Sequence, residues 1–164
     1  MSGKRNNTHA VAVGDVTIGG EAPVAVQAMT DTDTADASAT AAQCLDLADA
    51  GAELVRITID TADAARAVPD IRRRLDDRGC GVPLIGDFHF NGHRLLADHP
   101  QCVSALDKLR VNPGNVGTGT RRDDNFESIC RVALHHENPP GEAEDALLTW
   151  VRKTRAKNYA PAGL

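Results

Sequence analysis

Four times along this chain a short apolar run gives way to a stretch with helical periodicity, and this alternation limits the fold more than any other feature. The apolar runs cover residues 23–29, 53–59, 83–89 and 107–111. The helical stretches cover residues 37–50, 61–78, 92–98 and 123–136. The first run, from Pro23 to Met29, has the composition of a buried strand. Strands and helices in strict alternation, joined by short connections, demand a parallel sheet with right-handed crossovers. Both a doubly wound sheet and a partial (β/α)8 TIM-type barrel satisfy that demand. A whole barrel takes ~250 residues, so four units make about half of one. Ahead of the first unit, two alternating segments flank Gly14-Asp15 and read as a hairpin able to plug the bottom of a barrel.

Local signals mark the helix ends. Asp36 or Ser38 is placed to cap the first helix, and Gly51 to terminate it. Ala41, Cys44, Leu45, Leu47 and Ala48 form its apolar stripe. Pro69 predicts a break in the second helix. Beyond the fourth unit the pattern changes. Asn138-Pro139-Pro140-Gly141 is a breaker cluster, residues 142–157 read as a helix and residues 158–164 as a loose tail. The fifth strand expected here has no counterpart in the pattern.

Composition removes several function classes. Aromatic residues make up only 3% of the chain and the net charge is −5. A base-stacking platform needs aromatic faces and non-specific nucleic-acid binding needs a basic excess, so no nucleic-acid partner is expected. No apolar stretch approaches the ~18 residues of a membrane span, and no h-region follows the start, so the expected location is cytoplasmic with no membrane partner. Cys44, Cys80, Cys102 and Cys130 are widely spaced. Without a tight local pair they are expected to be free, partly buried thiols rather than metal ligands or disulfides. Arg72, Arg73 and Arg74 lie among Asp70, Asp76 and Asp77 and read as a solvated helix face.

The chemistry is concentrated at the strand ends. Arg56 lies inside an apolar strand, in phase with Leu54 and Thr58. A guanidinium there needs either a neighbouring carboxylate or an anionic ligand. Asp87 and His89 share one face at the end of the third strand. Such a pair can bind a metal, move protons or hydrogen-bond a polyol. Arg110 and Asn112 repeat that geometry at the end of the fourth strand. The following loop, Asn112-Pro113-Gly114-Asn115-Val116-Gly117, suits a backbone anion nest. C-terminal strand ends are where α/β enzymes keep their sites. Two arginines converging there suit a small, doubly anionic ligand.

These same segments resemble one known family. Val11-Ala12-Val13-Gly14, Ile18-Gly19-Gly20, and the run from Ala22 through Gln27-Ala28-Met29-Thr30-Asp31-Thr32 are similar to the opening of the 4-hydroxy-3-methylbut-2-en-1-yl diphosphate synthases. Gly51-Ala52-Glu53-Leu54-Val55-Arg56, Gly86-Asp87-Phe88-His89-Phe90 and Leu109-Arg110-Val111-Asn112-Pro113-Gly114-Asn115 follow in the family's order. The resemblance runs from about Val11 to Leu134. It implies a TIM-type barrel followed by a domain carrying a [4Fe-4S] cluster. It also implies reductive ring opening of 2-C-methyl-D-erythritol 2,4-cyclodiphosphate in isoprenoid biosynthesis. Flavodoxin or ferredoxin would supply electrons, and the family works as a homodimer.

By position, the resemblance makes Arg56 and Arg110 diphosphate ligands. It places Asp87 and His89 beside them to orient substrate or relay a proton, and Asn112 as a hydrogen-bond partner. Thr30, Asp31 and Asn115 would approach the ligand from the loops. Asp31 stands where the family has Asn, and a carboxylate there would repel a diphosphate unless it faces away. Past His135 no family motif is matched, including the three cysteines and one glutamate that hold the cluster. The expectation is therefore an N-terminal barrel part over residues 1–136, a divergent tail over 137–164, no cluster domain, and a truncated form inactive alone. Two alternatives stay open: a non-catalytic half-barrel that binds a phosphorylated ligand, and an unrelated metal-dependent barrel lyase using Asp87 and His89.

Overall fold

Eleven elements run along residues 8–112, 115–117 and 120–137, the residues that the computed structural model describes. A hairpin of β1 (Val11–Val13) and β2 (Val16–Ile18) comes first. Then follow β3 (Gln27–Met29), α1 (Ala37–Asp49), β4 (Leu54–Ile59), α2 (Ala62–Asp76) and β5 (Leu84–Phe88). The chain continues through α3 (Gly92–Asp98), α4 (Pro100–Ser104), β6 (Lys108–Val111) and α5 (Thr120–Glu137). Strands β3 to β6 form one parallel sheet in sequential order. A doubly wound sheet reverses its strand order at a switch point. Here there is no reversal, and the architecture is an open, partial TIM-type barrel. The helix and tail expected beyond residue 137 lie outside the described residues.

The sheet has two unlike faces because side chains alternate along each strand. On β4, Val55, Ile57 and Ile59 face outward and are fully buried. With Leu84 and Phe88 they pack against Cys44 of α1 and Val68, Ile71 and Leu75 of α2. Each large side chain buried this way contributes roughly 1.5–3 kcal/mol. On the inner face, Leu54 and Ile85 are covered by Val13 of the hairpin. The hairpin therefore closes the N-terminal end of the barrel, and the C-terminal strand ends are left to the loops.

Strand entry is held by two carboxylates. Glu53 Oε2 accepts the Val26 N–H at 2.8 Å, while the Glu53 N–H donates to Val26 O. Asp107 Oδ2 accepts the Leu84 N–H at 2.8 Å, while the Asp107 N–H donates to Leu84 O. Helix exit is also repeated. Gly51 has φ +99° and Gly79 has φ +69°. Ala52 N–H returns to Leu47 O and Cys80 N–H to Leu75 O, each at 2.9 Å, which is the Schellman closure of both helices. Asp36 is the α1 cap, accepting from the Ser38 and Ala39 N–H groups; Ser38 is thus a capped residue rather than the cap.

Several expectations are corrected. Pro69 lies inside an unbroken α2. An internal Pro costs about 3 kcal/mol. Ala64, Ala65, Val68, Ile71 and Leu75, on both sides of it, are all buried, and their burial outweighs that penalty. The run from Pro23 to Met29 is not a buried strand. Only Gln27–Met29 joins the ladder, and Val24 is 78% exposed, because β3 is an edge strand paired to β4 alone. Helix α5 starts at Thr120 instead of Asp123, since its first residues carry no apolar side chain for periodicity to register. Helix α4 is too short to show a period.

The arginine run is only partly a solvated face. Arg73 pairs with Asp70 and Asp77, and Arg74 pairs with Asp70 at 2.8 Å, all at the surface. These hydrogen bonds, from Arg74 first and then Arg73, hold the Asp70 carboxyl below its ordinary range. Arg72 pairs with Asp76 at 2.8 Å and also donates to Val82 O at 3.0 Å and Cys80 O at 2.6 Å, tying α2 to the entry of β5. Among the described residues no helix is long and apolar enough to cross a membrane.

Candidate anion site at the barrel mouth

Period-2 geometry puts Arg56 and Thr58 of β4, Asp87 of β5 and Arg110 of β6 on the inner face. The ladder sets Thr58 opposite Asp87, and Asp87 opposite Arg110. Arg56 sits two residues lower on β4, opposite Met29 of β3. Its side chain is long enough to reach the diagonal neighbour on the next strand. Arg110 Nη1 donates to Asp87 Oδ1 at 2.8 Å, and Arg56 Nε lies 3.4 Å from Asp87 Oδ2. The Asp87 side chain is 4% exposed, against 29% for Arg56 and 39% for Arg110.

A carboxylate this buried needs cations beside it, and here two share it. The cluster carries a formal charge of +1, from two guanidiniums and one carboxylate. Each guanidinium has five N–H donors and gives Asp87 one contact, so both forks can take a second anion. In the free protein Arg56 has a carboxylate partner in Asp87, which is compatible with either role. The arrangement also leaves Asp87 poorly suited to a metal, because two cations already occupy its oxygens.

The remaining candidates fall into two groups. His89 is half-buried just past β5 and in phase with Asp87, and its carbonyl accepts the Gly92 N–H at 3.2 Å. Asn112 is half-buried just past β6 and in phase with Arg110. Its carbonyl accepts the Asn115 N–H at 2.9 Å, so both asparagines belong to one turn at the mouth. That loop is tied to α5 by Asn125 Nδ2, which donates to Val116 O at 2.6 Å. Pro113 and Gly114 of the anticipated nest lie outside the described residues.

Thr30 and Asp31 are not brought to the arginines. Thr30 N–H extends the ladder to Arg56 O at 3.0 Å, which places its side chain on the face opposite Met29. Its buried hydroxyl has no hydrogen-bond partner. The Asp31 carboxylate accepts from the Gln43 side-chain amide of α1. Gln43 Oε1 in turn accepts from Asp31 and Thr32 N–H at 3.0 and 3.2 Å, holding the whole loop against the helix.

Sequence reasoning missed Met29. Its Sδ lies 3.4 Å from Arg56 Nε and 3.2 Å from Arg56 Nη2. The only signal was its phase within a run read as uniformly buried, and the pairing of β3 with β4 that sets it against Arg56 is tertiary.

The cysteines do not fit the cluster that the resemblance implies. Cys44 lies on α1, Cys80 after α2, Cys102 on α4 and Cys130 on α5, all as free thiols. Cys44 and Cys102 are fully packed into the helix-side core, on different helices, where a cluster would have no room. No three His, Cys, Asp or Glu side chains gather into a metal-binding group among the described residues.

A family model described as the GcpE TIM-barrel domain matches residues 8–140. The match spans every described element, from the plugging hairpin to α5. With the sequential parallel sheet and the resemblance in its strand-end motifs, this match shows that the chain belongs to the GcpE family, the 4-hydroxy-3-methylbut-2-en-1-yl diphosphate synthases, and corresponds to the N-terminal part of their TIM barrel.

Proposed function

We propose that this barrel part binds the diphosphate of 2-C-methyl-D-erythritol 2,4-cyclodiphosphate, the cyclic substrate that the family opens reductively in isoprenoid biosynthesis. The observation that carries the reading is the gathering of Arg56 and Arg110 by one buried carboxylate at the barrel mouth. Arg56 and Arg110 take the phosphate oxygens through their remaining N–H groups. His89 and Asn112, from the adjoining strand ends, hydrogen-bond the substrate beside them. Asp87 acts as a fixed anionic anchor for the two guanidiniums rather than as a proton relay.

Reduction belongs to the family's cluster, with flavodoxin or ferredoxin as donor and a second subunit facing the barrel. The described residues fit no such cluster, so the reading assigns them substrate holding alone.

Titration calorimetry of the 164-residue chain tests this, with inorganic pyrophosphate and the cyclic diphosphate as titrants. A hydrogen bond to a charged group is worth about 1.5–3 kcal/mol, so Arg56→Ala and Arg110→Ala should each weaken binding roughly 10- to 100-fold. Unchanged affinity in both variants would sink the reading.

A further inference from the structure

The two arginines of the site are held unequally. Arg110 Nη1 makes a short charge-assisted bond to Asp87 at 2.8 Å. Arg56 has only the looser 3.4 Å approach of its Nε to the same carboxylate. The edge of Arg56 formed by Nε and Nη2 rests instead against Met29 Sδ, at 3.4 and 3.2 Å. The contact is built by strand register, since Met29 stands directly opposite Arg56 in the β3–β4 ladder.

We propose that Met29 is a positioning residue of the anion site, holding the Nε/Nη2 edge of Arg56 at the mouth in the free protein and yielding it to a phosphate oxygen on binding. This rests on the reading of Arg56 as an anion ligand. The argument is one of relative acceptor strength. A thioether is a weak, polarisable acceptor on an unbranched chain. It restrains the guanidinium without competing seriously for its protons. A phosphate oxygen is a charged acceptor that takes an arginine edge through two parallel bonds. Exchanging sulfur for phosphate is therefore strongly favourable, and the edge is already placed when the anion arrives. An apolar side chain at this position would leave the edge unset, and ordering it would weaken binding. An amide oxygen would hold the edge more firmly than sulfur does, and would resist giving it up.

Met29 is one of only two methionines, the other being Met1, so it can be watched directly. In the full chain labelled with [13C-methyl]methionine, the Met29 resonance is the one lost in Met29→Leu. Adding inorganic pyrophosphate should move that resonance saturably, with the midpoint that calorimetry gives for binding, and Arg56→Lys should abolish the movement. Met29→Leu should weaken pyrophosphate binding about threefold through lost pre-ordering of one side chain. Met29→Gln should weaken it about tenfold, because a full hydrogen bond must be broken first. Both effects should vanish when Arg56 is already alanine. The inference is overturned if the Met29 resonance stays still while calorimetry records binding. It is equally overturned if the Met29 substitutions cost as much without Arg56 as with it. No pyrophosphate binding at all would overturn the reading of the site and the inference together.

Discussion

Asp87 shows how one residue sets the character of the mouth. Its carboxylate lies almost fully out of solvent, between Arg110 at 2.8 Å and Arg56 at 3.4 Å. Converting it to an amide removes the charge and turns an N–H donor toward one of the guanidiniums. Breaking a fully buried pair costs 3–5 kcal/mol, but both arginines are partly exposed and screened. Asp87→Asn should therefore lower unfolding stability by about 1–2 kcal/mol in urea titrations. Pyrophosphate affinity should hold or rise in the same variant, because the cluster gains a unit of net positive charge. A loss of affinity comparable to that of Arg56→Ala would mean that the carboxylate itself touches the ligand. The members of this cluster were legible in sequence as polar residues in phase along the inner face of apolar strands. Their pairing was not, because Asp87 meets Arg56 only through a diagonal contact across two hydrogen-bonded strands.

At the scale of elements, the βα units are delimited by chemistry that repeats. Gly51 and Gly79 end the first two helices, each followed by the N–H that closes the turn. At Gly51 an added Cβ would meet nothing within 4 Å, so the cost of Gly51→Ala is conformational only. Forcing an L-residue into the left-handed region costs roughly 1–2 kcal/mol, and the urea midpoint should fall accordingly with an unchanged slope. A larger loss, or a changed slope, would mean that the loop is coupled to the sheet. The Gly51 stop is readable in the sequence because glycine at a helix end has a local cause, whereas the matching role of Gly79 came from the structure. Pro69 and the run before Met29 were misread for the converse reason. Whether a helix survives a proline, or an apolar run is buried, depends on what packs against it. In α2 the buried face carries the helix through, whereas β3 has a neighbour on one side only.

At the scale of the molecule, the sheet separates a helix-side core from a small inner core beneath the hairpin. The thiols report on the first. Cys44 and Cys102 are buried and their pKa is pushed up to about 12, so at pH 8 about one in ten thousand is thiolate. Cys80 is only half-buried. An alkylating reagent at pH 8 should modify Cys80 well before Cys44 and Cys102, which should react only in denaturant, as read by peptide mass spectrometry. Alkylation of Cys44 as fast as Cys80 would contradict the packing of α1 against α2. The sequence alone determined the alternation of the four βα units, the Gly51 helix stop, the in-strand position of Arg56 and the strand-end positions of Asp87, His89, Arg110 and Asn112. Each of these follows from local periodicity and backbone chemistry. Only the tertiary structure decided that the sheet is sequential, that Asp87 is shared by two arginines, that Asp31 turns to Gln43 and that Met29 meets Arg56. Those outcomes depend on strand register and helix docking, which join residues far apart in the chain and leave no mark in any one segment.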